Sequence, residues 1–300
     1  MQTQRSISEE IKHQYRTGGV MIQLIFANVV IFLLINLLGV IGRLSGGEVE
    51  GTIGVYLMNI FELQTEPGIF ITHPWGLFTS IFAHYSFLHL LTNMIFLYFA
   101  GKLFLSLFSQ KRLFYTYLLG GILGGVFEMV AQIFPAVLPN TVIGASGSVM
   151  AIIIAIAVHK PRMKVNLFGI LPVQMYIIGG VYFLLDFIKL GENDGTAHFA
   201  HLGGATLGMI SVLQLSSPSN IINITQRFGD RIQNLFRRKP SKKRLKVDKN
   251  SRMKTDDEYR VDSVGRQEQV DRILDKISKS GYESLTRKEK DFLFKQSNNG

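Results

Sequence analysis

Ser146 stands among small residues in Gly144-Ala145-Ser146-Gly147, directly ahead of a run of Ile, Ala and Val. A hydroxyl in such a setting either lets two membrane helices pack closely or, beside a base, acts as a nucleophile. Candidate bases occur in "TAHFAHLGGATLG", residues 196–208, which offers His198 and His201. A third polar group holds His84 and the pair His89 and Asn93. The last two are four residues apart, on one face of a helix; His84 is expected to point elsewhere. Taken singly, each has a bland explanation. A Gly-x-Ser-Gly in an apolar helix is more often packing, and a lone intramembrane histidine more often a relay or a structural hydrogen bond.

The elements that carry these residues are apolar. Hydrophobic residues make up 47% of the 300, and nearly all the long apolar runs lie between residues 20 and 215. Six segments suit membrane-spanning helices, which need roughly 17–25 mostly apolar residues. They are Val20–Ile41, Gly76–Ala100, Leu113–Phe134, Thr141–Val158, Val173–Leu190 and Ala197–Leu215. Helices are required because a backbone in lipid must satisfy its own hydrogen bonds. The second segment is longer than one span needs, and His84-Tyr85-Ser86 predicts a break, with the span starting near Phe87. In the long first loop, "VYLMNIFEL" and Trp75 suit an interfacial position.

Basic residues set the orientation. Arg5, Lys12 and Arg16 precede the first span, Lys102, Lys111 and Arg112 follow the second, and Lys160, Arg162 and Lys164 follow the fourth. The other loops are nearly free of them, so both termini are expected on the cytoplasmic side. Spans four and six then both start at the outer face. Counting along them puts Ser146 and His201 roughly 6–8 Å below their helix starts, at 1.5 Å per residue. Gly204-x-x-x-Gly208 supplies a small-residue face that lets those two helices touch.

The tail beyond residue 215 is polar and basic. Residues 237–254 form a run suited to anionic headgroups, or equally a solvated linker. Val270, Ile273, Leu274 and Ile277 recur at helical spacing, Gly281 interrupts them, and Ser284 or Thr286 suits a cap. The expected organisation is a cytoplasmic segment 1–19, a six-helix domain 20–215, a linker 216–266 and a small helical motif 267–300. With no cysteine, disulfides and thiolate metal sites are excluded. No metal, cofactor or nucleic-acid partner is expected.

In order and at matching span ends, His-x-x-x-Asn, Gly-Ala-Ser-Gly and Ala-His-x-x-Gly-x-x-x-Gly make residues 15–215 resemble the rhomboid family of intramembrane serine proteases. The resemblance implies an all-α, six-transmembrane-helix bundle in a bacterial cytoplasmic membrane. It makes Ser146 the nucleophile and His201 the general base, with no aspartate completing a triad. His89 and Asn93 become oxyanion-stabilising residues, and His84, Gly144, Gly147, Gly204 and Gly208 structural ones near the site. Met150 stands where many relatives carry an aromatic that stacks on the catalytic imidazole. Glu128, in the outer half of the third span, and Asp186, in the inner half of the fifth, are expected to face the bundle interior or a water-lined crevice, without a catalytic role. The tail is similar to a C-terminal extension of rhomboids from the Bacteroidetes lineage. Single-pass transmembrane proteins are the implied substrates. Two other readings remain open at this point: a catalytically silent client-binding relative, and a small transporter using its histidines.

Overall fold

The computed structural model describes residues 18–44, 59–135, 137–138, 140–167, 170–192, 194–236 and 255–297. The N-terminal basic residues and the run 237–254 lie outside them. Among the described residues, six helices build the membrane region: α1 (Gly19–Leu44), α4 (Phe87–Leu107), α5 (Gln110–Ala131), α6 (Ser146–His159), α7 (Met175–Ile188) and α8 (His198–Val212). Before α4 come two short helices, α2 (Pro67–Thr72) and α3 (Gly76–Thr79), then a 3-10 turn at Ser80–Phe82. The chain is extended at Ala83, and Ser86 caps α4 by accepting from the His89 N–H at 3.2 Å. The polar His84-Tyr85-Ser86 cluster therefore does break the second apolar segment.

Among the described residues, only α1, α4 and α5 have the length and composition to cross a membrane unaided. Helices α6 and α7 run 14 residues and α8 runs 15, about 21–23 Å at 1.5 Å per residue, short of a ~30 Å hydrocarbon core. This corrects the expected 18-residue segment Thr141–Val158. Its first two residues form strand β2 (Thr141–Val142), which pairs antiparallel with β1 (Leu63–Gln64) of the first long loop. Gly144, at φ +117°, then turns the chain so that the helix begins at Ser146. That loop is anchored: Leu63 is fully buried against Val142 and Ala200. Trp75, half-exposed, donates to Ile60 O at 3.0 Å. Between α6 and α7, β3 (Lys164–Leu167) and β4 (Leu171–Gln174) form an antiparallel hairpin.

Helix α8 runs between α5 and α6 on small residues. A Cβ on Gly203 would meet Leu123 O at 2.6 Å, and one on Gly124 would meet Ala200 O at 2.6 Å. Side chains on Gly204 and Gly208 would overlap the carbonyls of Gly147 and Ala151 in α6. Polar groups are buried inside, such as Asn28, whose amide donates to the Tyr117 hydroxyl at 3.0 Å, while Leu33, Leu37, Leu185 and Ile188 are exposed. A bundle with its polar residues inside and its leucines outside is built for lipid.

The expected linker 216–266 is corrected as well, because it contains helix. Helix α9 (Ile221–Phe236) packs beside α5, where Arg112, fully buried, donates to Ser211 O at 2.9 Å and Asn223 Oδ1 at 2.7 Å. The C-terminal unit, Lys239–Gly300, holds α10 (Asp256–Ser280) and α11 (Arg287–Ser297). Helix α10 starts eleven residues before the expected motif; polar Asp256–Arg266 lacks the apolar periodicity that marks a helix in sequence. Gly281 at φ +75° ends it, and Ile273 and Leu285 are buried. Thr286 is the cap: its N–H donates to Glu289 Oε2 at 2.7 Å, and its hydroxyl accepts from the Glu289 N–H at 3.4 Å.

Candidate active site

Ser146 is the first residue of α6, not a residue one turn in. The positive φ of Gly144 and the bond from Gly144 N–H to Ser80 O (2.8 Å) stop the helix from extending upstream. The leading N–H groups of α6 have no partner within the helix, so the serine sits at the positive end of the helix dipole. His201 lies in the first turn of α8. Its Nε2 is 2.7 Å from Ser146 Oγ. The glycine contacts between α6 and α8 bring the two backbones close enough for that bond.

Both residues line a cavity of about 700 Å³ that also reaches His89, Asn93, Gly144 and Tyr182. His89 is half-buried, and Asn93 donates one amide proton to His89 O at 2.9 Å. A Cβ on Gly144 would stand 2.8 Å from His89 Cε1, so the close approach of that imidazole needs glycine. His84 does not point elsewhere. The break before α4 turns its ring edge-on to His89 at 4.9 Å, and its Nε2 accepts from the Ala145 N–H at 3.4 Å. Met150 is fully buried with Ile154, Ala205 and Tyr182. The aromatic ring near His201 comes instead from α7: Tyr182, 6.4 Å between centroids.

The main correction concerns Asp186. Its Oδ1 is 2.7 Å from Nδ1 of His201, on the ring edge opposite Ser146, and 2.7 Å from Nδ1 of His198. An aspartate does stand behind the histidine. It was missed because Asp186 lies on α7, and nothing in a linear sequence shows which face of that helix meets α8. His198 Nε2 lies 3.2 Å from Asp194 Oδ1. The Lys189 ammonium at 3.0 Å and the Thr196 backbone N–H at 2.9 Å hold the Asp194 carboxyl well below the usual carboxylate range. Glu128, also buried, accepts from the Ala200 N–H at 2.9 Å and from the Asn140 amide at 2.9 Å. It thereby caps the helix that carries His201.

Asp186, His198 and His201 are metal-ligating residue types within 4.8 Å of one another. Their N···O separations of 2.7 Å are hydrogen-bond lengths. Donor atoms around tetrahedral zinc stand about 3.3 Å apart for zinc–ligand bonds near 2.0 Å. The cluster is a hydrogen-bonded set with Ser146 at its end. Chemically it is a serine hydroxyl, a base on its proton and a carboxylate behind the base, beside a cavity.

Residues 72–218 match the family model described as the Rhomboid domain, and residues 254–299 match a family of unknown function, DUF6576. Among curated proteins, the chain is 31% identical over 151 residues to RHOMBOID-like protein 12, mitochondrial, of Arabidopsis thaliana, covering 45% of this chain and 44% of that one. It is 31% identical over 134 residues to Presenilin-associated rhomboid-like protein A, mitochondrial, of Danio rerio, covering 43% of this chain and 34% of that one. The chain thus spans less than half the length of these relatives. Its multi-pass helical membrane bundle is similar to the rhomboid family from residue 72 to residue 218.

Proposed function

We propose that this chain is an intramembrane serine endopeptidase that cleaves single-pass transmembrane proteins. The observation that carries the reading is the 2.7 Å contact between Ser146 Oγ and His201 Nε2 at the wall of the cavity. In the proposed reaction Ser146 Oγ bonds to the scissile carbonyl carbon as its proton passes to His201 Nε2. His201 then hands that proton to the leaving amine, and water releases the acyl group by the same route. The oxyanion forms near the start of α6, where the free N–H groups, His89 and the second amide proton of Asn93 supply donors. Such donors work because they face charge that exists only in the transition state.

A helical substrate has its carbonyls bonded, so the segment at the cut must unwind. Substrates with helix-breaking residues there are favoured, and the resemblance adds small residues at the cut. The membrane proposed is a bacterial cytoplasmic one, with both termini inside.

The test is labelling of the solubilised protein with a fluorophosphonate. Labelling of the wild type that disappears in Ser146→Ala and in His201→Ala supports the reading. Folded wild type that does not label favours a silent, client-binding protein. Labelling that survives Ser146→Ala refutes Ser146 as the nucleophile.

A further inference from the structure

We infer that Asp186 is a positioning residue for His201, itself held in place by His198 and Asp194. The inference rests on the Ser146–His201 reading and adds a carboxylate to it. Asp186 Oδ1 accepts at 2.7 Å from Nδ1 of His201, while Nε2 of the same ring faces Ser146 Oγ at 2.7 Å. An imidazole with its proton on Nδ1 has its lone pair on Nε2, the form a general base needs. The carboxylate therefore selects both the tautomer and the ring orientation. When His201 takes the Ser146 proton it becomes an imidazolium; the Nδ1 proton stays on the ring, Asp186 gains none, and its charge stabilises the cation.

His198 explains how a carboxylate is kept in a spanning helix. Both of its ring nitrogens face carboxylate oxygens, Asp186 at 2.7 Å and Asp194 at 3.2 Å, and only an imidazolium has a proton for each. Asp186 is thus paired with a partner that is not consumed in catalysis. Asp194 in turn ties His198 to the Lys189–Thr196 connection. The other titratable groups around His201 are His89 on α4, Tyr182 on α7 and, behind Ala200, Glu128 on α5.

The test is the rate of fluorophosphonate labelling against pH for wild type, Asp186→Asn and Asp186→Glu, with thermal midpoints measured beside them. An amide at 186 offers N–H as well as oxygen and removes the charge, so Asp186→Asn should label at least 100-fold more slowly. The acid limb of its profile should also move to lower pH. Asp186→Glu keeps the charge and should label at an intermediate rate with an acid limb close to wild type. A purely structural role would lower the thermal midpoint and leave the limb in place. Asp186→Asn labelling at the wild-type rate with an unmoved limb overturns the inference while the dyad stands. If Asp186→Asn does not fold, Asp186→Glu decides: a large loss of rate with a displaced acid limb would refute charge as the operative property. Loss of the dyad reading would show separately, as wild-type labelling that survives Ser146→Ala or His201→Ala.

A second inference rests on α9 alone. Ile221, Ile224, Phe228, Ile232 and Leu235 recur three and four residues apart and are exposed, Leu235 at 82% and Phe228 at 64%. The opposite side is occupied by α5: Gly229 abuts the Tyr115 hydroxyl, and Asp230 accepts from Lys111 at 3.3 Å. At 100° per residue Arg231 borders one edge of the apolar stripe, with Arg227 beyond it donating to the Asn223 and Pro218 carbonyls. We infer that this stripe lies in the membrane interface, its isoleucines among acyl chains and Arg231 at anionic headgroups.

The chain has no cysteine, so single cysteines at 224, 228 and 235, and at Gln233 and Asn234 as controls, can carry spin labels in nanodiscs containing phosphatidylglycerol. Labels at 224, 228 and 235 should relax preferentially with oxygen, and those at 233 and 234 with a water-soluble nickel chelate. Nickel access at all five positions, or shielding of the stripe from both reagents, overturns the inference.

Discussion

Gly204→Ala tests the geometry that brings Ser146 and His201 together. A methyl on Gly204 would lie 2.8 Å from Gly147 C and 3.1 Å from Gly147 Cα, and would overlap the Gly147 carbonyl, where ordinary contact begins near 3.4 Å. The clash is with backbone, so no side chain can swing away. Helices α6 and α8 must part by at least about 0.6 Å to restore van der Waals distance. Ser146 is the neighbour of Gly147, and His201 lies one turn before Gly204, so the separation falls on the 2.7 Å contact between them. That takes Oγ and Nε2 to roughly 3.3 Å or beyond, past the range of a good hydrogen bond. Displacements approaching 1 Å cost about 100-fold in rate, and we expect a loss of about 10- to 100-fold in labelling. Overpacking should also lower stability by about 1–3 kcal/mol. The assay pairs the labelling rate with thermal unfolding in detergent. Gly180→Ala is the control, since a Cβ at Gly180 meets nothing within 4 Å. Gly204→Ala that labels within twofold of wild type, with an unchanged midpoint, refutes the reasoning.

Gly144→Ala should lose labelling too, because the residue sits at φ +117° and its methyl would press on the His89 ring; wild-type labelling would remove that constraint on His89. Glu128→Leu leaves the buried Ala200 N–H and the exposed Asn140 amide without their acceptor, at about 1–3 kcal/mol for the buried N–H. Thermal unfolding should show it, and an unshifted midpoint would count against the cap. In the tail, the Thr286 backbone N–H and then Lys276 pull the Glu289 carboxyl down to about 2 from 4.5. A lowered carboxylate stabilises the fold above its unfolded value, and that contribution is lost as pH falls through the folded value. Glu289→Gln should therefore weaken hydrogen-exchange protection of α11 at pH 6 and make little difference near pH 2; equal protection at pH 6 would contradict the capping box.

Much of the bundle is legible in the chain because lipid imposes a simple rule: long apolar runs must become helices. The break at His84-Tyr85-Ser86 is readable for the same reason, since polar residues interrupt an apolar run. Gly204 and Gly208 show in sequence that α8 has a face for close packing, and the order of Ser, His and Asn motifs points to one family. The start of α6 is not readable. Thr141 to Ala145 is apolar enough to continue a helix, and only its pairing with Leu63–Gln64 and the turn at Gly144 remove it. Helix α9 is hidden for the opposite reason: seven apolar residues spread among arginines, asparagines and glutamines resemble a linker until five of them are seen on one face.

Asp186 marks the boundary most clearly. By itself the sequence determined that a carboxylate lies in a membrane helix, which is expensive and so demands a partner. Two histidine-bearing stretches offered one. Only the tertiary structure decided that α7 turns this carboxylate towards the first turn of α8, within 2.7 Å of both His198 and His201. Residue types and periodicity follow from local chemistry, whereas the rotation of one helix against another follows from packing along its whole length.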